Sequence, residues 1–312
     1  MLSRILVPLD GSPLAESVLP QVVELANLRK AEVVLVRVAL AHTFPGANPA
    51  DGQVRAVESA QRYLNKIQAD LAAQGIAVQS VVRYGHAAEE ILDHAGTGAI
   101  DLIAMSTHGR SGIRRWVLGS VAETVARRAP VPVMLLHTRG HVAAPEQEPA
   151  HQPPLPAPAL DAAPPVRIRH ILCPVDLSPL DREVLQSAGA MAQRFDADLT
   201  VLHAVYDPWD VACSHIPHAP LEQLREEMIR FAEDALQHEV RRVLRGTPRT
   251  AVVVVTGPPF HQINRFARAH AVDLIVMGTK GLTGLDHFLM GSTAEQVVRT
   301  APCPVLSIRA AA

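Results

Sequence analysis

The sequence predicts an α/β protein made of two five-stranded, parallel-sheet domains in tandem. Three observations carry that reading. Long stretches of the second half repeat the first, short β-branched runs alternate with longer amphipathic stretches inside each copy, and a proline-rich segment separates the copies.

The repeat comes first because it sets the domain count. RILVPLDGSPL (residues 4–14) answers to HILCPVDLSPL (170–180), so that Asp10 maps onto Asp176, 166 positions on. AEVVLVRV (31–38) answers to ADLTVLHA (197–204) at the same offset. IDLIAMSTHG (100–109) answers to VDLIVMGTKG (272–281), and APVPVMLL (129–136) to APCPVLSI (301–308), both at an offset of 172. The second copy therefore carries six extra residues, within YDPWDVACSHIPHAP. The intervening segment is rich in Pro and Ala and can bury nothing, which is the composition of a semi-rigid spacer. The expected domains are 1–138 and 167–312, with a linker over 139–166.

The strand elements of copy one are read as RILVPL, EVVLVRV, AVQSVVRY, DLIAMS and VPVMLL. Each is short, apolar and bounded by Gly, Pro or Asp, as strands buried on both faces are. Leu14, Val18, Val22, Leu25 and Ala26 recur at helical spacing in copy one, as do Val184, Leu185, Ala188, Met191, Ala192 and Phe195 in copy two. Strand–helix alternation means right-handed βαβ units and a doubly wound parallel sheet.

Composition narrows the function classes. The 312 residues are 48% hydrophobic and 19% charged, with a formal net charge of −2. No field of one sign favours a nucleic acid or an anionic membrane, so neither is expected as a partner. No stretch has the length and apolarity of a signal peptide or a membrane span, and the three cysteines form no CxxC. The expectation is a reduced cytoplasmic protein.

The chemistry concentrates in two stretches, STHGRSGIRRWVLGSV (106–121) and GTKGLTGLDHFLMGST (278–293). Each begins just past the fourth strand, at Met105-Ser106 or Met277-Gly278, the edge where open α/β sheets take ligands. Glycine lets a backbone approach a ligand, and successive amides in such a loop can surround an anion. The stretches end at helix starts. Ser120-Val-Ala-Glu123 and Ser292-Thr293-Ala-Glu295 both match the S-x-x-E capping box, and a helix start suits phosphate. A capped helix alone is the commoner meaning of such a pair, and a capping glutamate would use amides that a phosphate wants. The recurrence of the whole pattern at identical nine-residue spacing, with an acid after each first strand, favours a nucleotide crevice. That acid, Asp10 or Asp176, has two readings. One is a contact to a ribose hydroxyl, an adenine amine or a phosphate-bound metal; the other is an Asx-turn.

Neither GxxxxGK[ST] nor a GxGxxG after the first strand is present. The motif instead resembles the G-x2-G-x9-G-[S/T] of the universal stress protein family, in its tandem form. Copy two matches in full through Gly278, Gly281, Gly291 and Ser292, and copy one through Gly109, Gly119 and Ser120, with Ser106 at the first glycine. The resemblance implies a Rossmann-like sandwich of the adenine-nucleotide alpha-hydrolase type. It also implies bound ATP (or ADP or AMP) and a role in stress response or signalling; Asp10 and Asp176 are read, as residues, as able to hold an accompanying Mg²⁺. In copy two it points to Asp176, Ala204, Met277, Gly278, Gly281, Gly291, Ser292 and Thr293; in copy one to Asp10, Val38, Met105, Ser106, Gly109, Arg110, Gly119 and Ser120. Family members pair through their last strand, so an internal pairing of 131–137 with 304–308 is expected, together with a homodimer and an unidentified protein partner. If the first glycine needs positive φ, Ser106 costs about 1 kcal/mol, and binding in copy one is expected to be weaker or unchanged. Arg110, Arg114 and Arg115 lie in that loop, where copy two has Lys280. They are read either as partial compensation or as a solvated basic face.

No base recurs in both loops, so the chain reads as at most a slow Mg²⁺-dependent ATPase. A dimerising scaffold without nucleotide is the other alternative. Cys213, His215 and His218 are candidate metal ligands by residue type. Their spacing fits no familiar zinc pattern, and Pro208, Pro217 and Pro220 favour an irregular polar loop instead.

Overall fold

A computed structural model describes residues 2–40, 49–107, 118–136, 168–206, 218–247, 249–279 and 290–309. The chain forms two compact units, residues 1–114 with 136–166, and residues 115–135 with 167–312. The second unit thus holds most of the last helix and strand of the first repeat.

The first unit contains β1 (Arg4–Pro8), α1 (Pro13–Glu16), α2 (Leu19–Arg29), β2 (Glu32–Ala39), α3 (Pro49–Ala73), β3 (Val78–Tyr84), α4 (Ala87–Thr97) and β4 (Leu102–Ser106). Its strands lie in the order β3-β2-β1-β4, all parallel. Ile5, Leu6, Val33, Val34, Leu35 and Ile103 are fully buried, so the central strands are apolar on both faces and need no period-two alternation.

The second unit takes α5 (Ser120–Arg128) and all but the last residue of β5 (Val133–Leu136) from the first repeat. It continues with β6 (His170–Val175), α6 (Asp181–Phe195), β7 (Asp198–Val205), α7 (His218–Val243), β8 (Thr250–Thr256), α8 (Pro259–Ala269), β9 (Leu274–Gly278), α9 (Ser292–Thr300) and β10 (Val305–Ile308). Here the order is β5-β10-β9-β6-β7-β8. Every pair is parallel except β5 with β10, the last strands of the two repeats, which run antiparallel with Leu306 opposite Met134. The Ser307 hydroxyl donates to the Val133 carbonyl at 3.1 Å across that pair.

A repeated aspartate ties each sheet at its amino edge. Asp101 Oδ2 accepts the amides of Ser3 and Arg4, at 2.6 and 2.9 Å, and Asp273 Oδ2 accepts those of Arg169 and His170, at 2.8 and 3.0 Å. This carboxylate fixes the start of the first strand against the fourth.

Two sequence expectations are corrected. The run Leu14 to Ala26 is two helices, with a break at Ser17–Val18. Pro20 lacks an amide hydrogen and its ring would strike the carbonyl four residues back, so the helix stops and restarts with the proline in its first turn. Copy two has Gln186 there, and α6 runs unbroken. The six-residue insertion was expected to be an irregular loop, but its end is helical. His218 opens α7, and Pro220 sits in the first turn, where a missing amide is harmless. Cys213 and His215 lie outside the described residues.

Candidate functional site

The carboxyl edge of the second unit gathers most of the residues singled out in copy two. Strands β6 and β9 are adjacent and parallel, with Leu172 opposite Ile275, so Asp176 and the pair Met277-Gly278 end at the same edge. Strand β7 flanks β6 on the other side with Val175 opposite His203, which sets Ala204 beside the Asp176 turn. The chain returns to this edge at α9, because the Gly291 amide donates to the Thr279 carbonyl at 2.8 Å. Thr279 is itself held by its amide on the Ile308 carbonyl at 3.1 Å. The start of α9 is therefore docked at the end of β9. Gly281 lies outside the described residues.

The capping box is not formed. The N-caps are Gly119 (φ −60°, ψ 140°) and Gly291 (φ −60°, ψ 146°), neither with a side-chain cap. Ser120 and Ser292 are the first helical residues instead, both exposed, and Thr293 follows half-buried. The glutamates then fall one position too deep to reach back, and they pair down the helix, Glu123 with Arg127 and Glu295 with Arg299. The expected competition for amides thus disappears. The first-turn amides of each helix have no intrahelical acceptor and stand at its positive end, an arrangement that favours an anion.

The backbone cost set against Ser106 does not arise. Ser106 is the last residue of β4, and Gly278 the last of β9, paired with Ile308. Both are extended, a conformation any residue adopts, so the position does not require glycine's freedom.

The acids form Asx-turns, one of their two readings. Asp10 Oδ1 accepts the Ser12 amide at 2.9 Å, and Asp176 Oδ1 the Ser178 amide at 3.1 Å. In the first unit Asp10 and Val38 lie at the same edge, since Pro8 pairs with Val36, and Met105-Ser106 end the neighbouring β4. Gly109 and Arg110 lie outside the described residues. Gly119 and Ser120 belong with the second unit.

Several neighbours of these turns were not read from the sequence. The Arg37 guanidinium lies 4.5 Å over the Tyr63 ring and packs against Gly11. Tyr63 donates its hydroxyl to Glu16 at 2.8 Å, and burial with that carboxylate pushes the phenol well above its ordinary range. Copy two has His203 in place of Arg37, with Nδ1 at 2.9 Å from the Val175 carbonyl oxygen. Asp181, on α6, is buried beneath the Asp176 turn. Gly85 (φ 145°) and Gly257 (φ 117°) directly follow the third strand of each repeat, in the left-handed half of backbone space. Their shared offset of 172 was the available signal.

A doubly wound parallel sheet with its loops and helix starts at the carboxyl ends of the strands defines the open α/β class, whose members take ligands at that edge. The family model for the universal stress protein family matches residues 1–137 and 167–309, and the chain belongs to that family. It is 33% identical over 145 residues to a universal stress protein of Methanocaldococcus jannaschii, covering 45% of this chain and 82% of that one. A universal stress protein structure from Archaeoglobus fulgidus superposes over 100% of both chains, with TM-score 0.70 and 19% identity. Another universal stress protein, matched over 46% of this chain and 99% of its own, with TM-score 0.33 and 22% identity, was solved in complex with cAMP. Among the described residues no helix is long and apolar enough to cross a membrane, and no three His, Cys, Asp or Glu side chains gather as a metal site.

Proposed function

We propose that this chain binds an adenine nucleotide, ATP foremost, at the carboxyl edge of each repeat, and that occupancy serves a stress-response or signalling state. The domains would be 1–138 and 167–312. The observation that carries the reading is the start of α9. Its cap is a glycine, its first-turn amides have no side-chain cap, and Gly291 fastens it to Thr279 beside the Asp176 turn. Phosphate would take the amides of Ser292 and Thr293, with the serine hydroxyl adding a donor, and Asp176 would take the nucleoside end. In the first repeat the residues that correspond in sequence are Asp10, Val38, Met105, Ser106, Gly109, Arg110, Gly119 and Ser120. Mg²⁺ would accompany the phosphates as part of the ligand.

Equilibrium binding of ATP, ADP, AMP and cAMP to the nucleotide-free protein tests this. Affinity in the micromolar range, rising with phosphate count, is the expected result. Binding of adenosine as tight as ATP would overturn the phosphate role of α9. Sustained phosphate release from Mg·ATP would move the protein to the ATPase class.

A further inference from the structure

The turn after the first strand has the same shape in both repeats and different supports. In the first repeat, Gly11 supplies the left-handed residue (φ 86°), and the Ser12 hydroxyl accepts the Ala15 amide at 3.1 Å. In the second, a leucine takes the left-handed place, Leu177 at φ 63°, where a side chain is strained. The serine brace is also missing there, for the Ser178 hydroxyl is buried with no hydrogen-bond partner. The equivalent of Ala15 is Asp181. Its carboxylate, 8% exposed, accepts the Ser178 amide at 3.0 Å and the Asp176 amide at 3.2 Å, and the Leu177 backbone bonds to it as well. One carboxylate thus gathers three successive amides and offsets the strain at Leu177.

We propose that Asp181 is a positioning residue of the second crevice, holding the turn that presents Asp176, and that it makes nucleotide affinity at this repeat depend on pH in a way the first repeat's does not. The proposal rests on the nucleotide reading above. Burial, with the Asp176 charge second, pushes the Asp181 carboxyl up to about 7, while the backbone amides of Leu177, Ser178 and Asp176 pull it down. Among the described residues, the other titratable groups at this place are Cys173 of β6, whose thiol burial and the Asp181 charge drive upward, and His203 of β7, bonded to the carbonyl before Asp176. A protonated Asp181 still offers a carbonyl oxygen to the amides, so the turn persists. Ionised, it sets a second negative charge beside Asp176, against an anionic ligand. Affinity for nucleotide at the second site therefore falls as the carboxyl ionises. Ala15 gives the first repeat no such group.

The test is calorimetric titration with Mg·ATP at about pH 6 and about pH 8, on either side of the titration. It is run in a Gly119→Trp background so that the second site alone is read, comparing Asp181, Asp181→Asn and Asp181→Ala. The ligand's own ionisation is common to all three. Asp181 is expected to lose roughly tenfold more affinity between the two pH values than Asp181→Asn, which keeps an acceptor for the amides without the charge. Asp181→Ala is expected to bind at least about fivefold more weakly than Asp181→Asn at both, because the turn loses its brace. If Asp181→Asn keeps the parent's pH profile, or if Asp181→Ala binds as tightly as Asp181→Asn, the proposal is wrong while the nucleotide reading stands. Absence of binding in all three folded proteins would overturn both.

Discussion

In the first repeat the turn after β1 is Asp10-Gly11-Ser12, flanked by Arg37 stacked on Tyr63 and by a phenol hydrogen-bonded to Glu16. In the second it is Asp176-Leu177-Ser178, with a buried Asp181 beneath and His203 alongside. Both turns put an acid at the same strand end, one braced by a hydroxyl and surrounded by cation and ring, the other braced by a carboxylate. The two turns thus share a backbone and differ in the charge around them. Duplication keeps the strand ends, because a shift there would misplace the whole core, whereas neighbouring side chains are free to diverge. The two sites should then bind related ligands with different strengths and different responses to pH.

The largest effects are expected in the core. Leu6 and Leu172 are equivalent and fully buried in the first strand of each repeat. Leu6→Ala and Leu172→Ala are each expected to cost about 2–5 kcal/mol, read by denaturant unfolding. A cost under about 1 kcal/mol at either would mean that the repeats are not equally packed.

Next comes pH. Because the folded chain holds the Asp181 proton more tightly than the unfolded chain, its stability should fall as pH rises from about 4 to about 7. The slope across that window, a matter of a few kcal/mol in all, should flatten in Asp181→Asn. Thermal melting of the two proteins across the window reads the difference, and parallel curves would count against the buried-acid account.

Smaller effects are expected at the glycines that follow the third strands. Gly85→Ala and Gly257→Ala should each cost about 1–2 kcal/mol, since an L side chain is strained at these φ values and the new Cβ would crowd Glu90 or Gln262. Urea midpoints would report it. Ser106→Gly should do least. It should not tighten nucleotide binding in the first repeat, and should lower stability by at most about 1 kcal/mol as glycine in a strand does. A clear gain in affinity would mean that the bound state needs a backbone conformation that the strand does not have.

Much of this architecture was legible from spacing alone. Alternation of apolar runs and amphipathic stretches fixed the five strands of the first repeat to within two residues, and constant offsets placed Asp10 and Asp176, Asp101 and Asp273, and Met105 and Met277 at matching points. Features set by a single residue of phase were not. Whether serine or glycine caps α5 and α9 changes the reach of Glu123 and Glu295 entirely, and the S-x-x-E pattern reads the same either way. Positive φ at Leu177 and burial of Asp181 have no periodic signature, because an acid in the first turn of a helix is ordinary at the surface. The contrast with Ala15 was the trace they left.

The proposal is that the glycine-rich motif of each repeat serves a nucleotide. Calorimetric titration of the nucleotide-free chain with Mg·ATP, repeated on Gly291→Trp and Gly119→Trp, tests it most directly. An indole at either cap would cover the first-turn amides and is expected to weaken its own site by roughly a hundredfold, the worth of about two charge-assisted hydrogen bonds. Two sites in the parent, each lost with its own substitution, is the predicted result. A parent that binds nothing, or whose binding survives both tryptophans, would contradict the account.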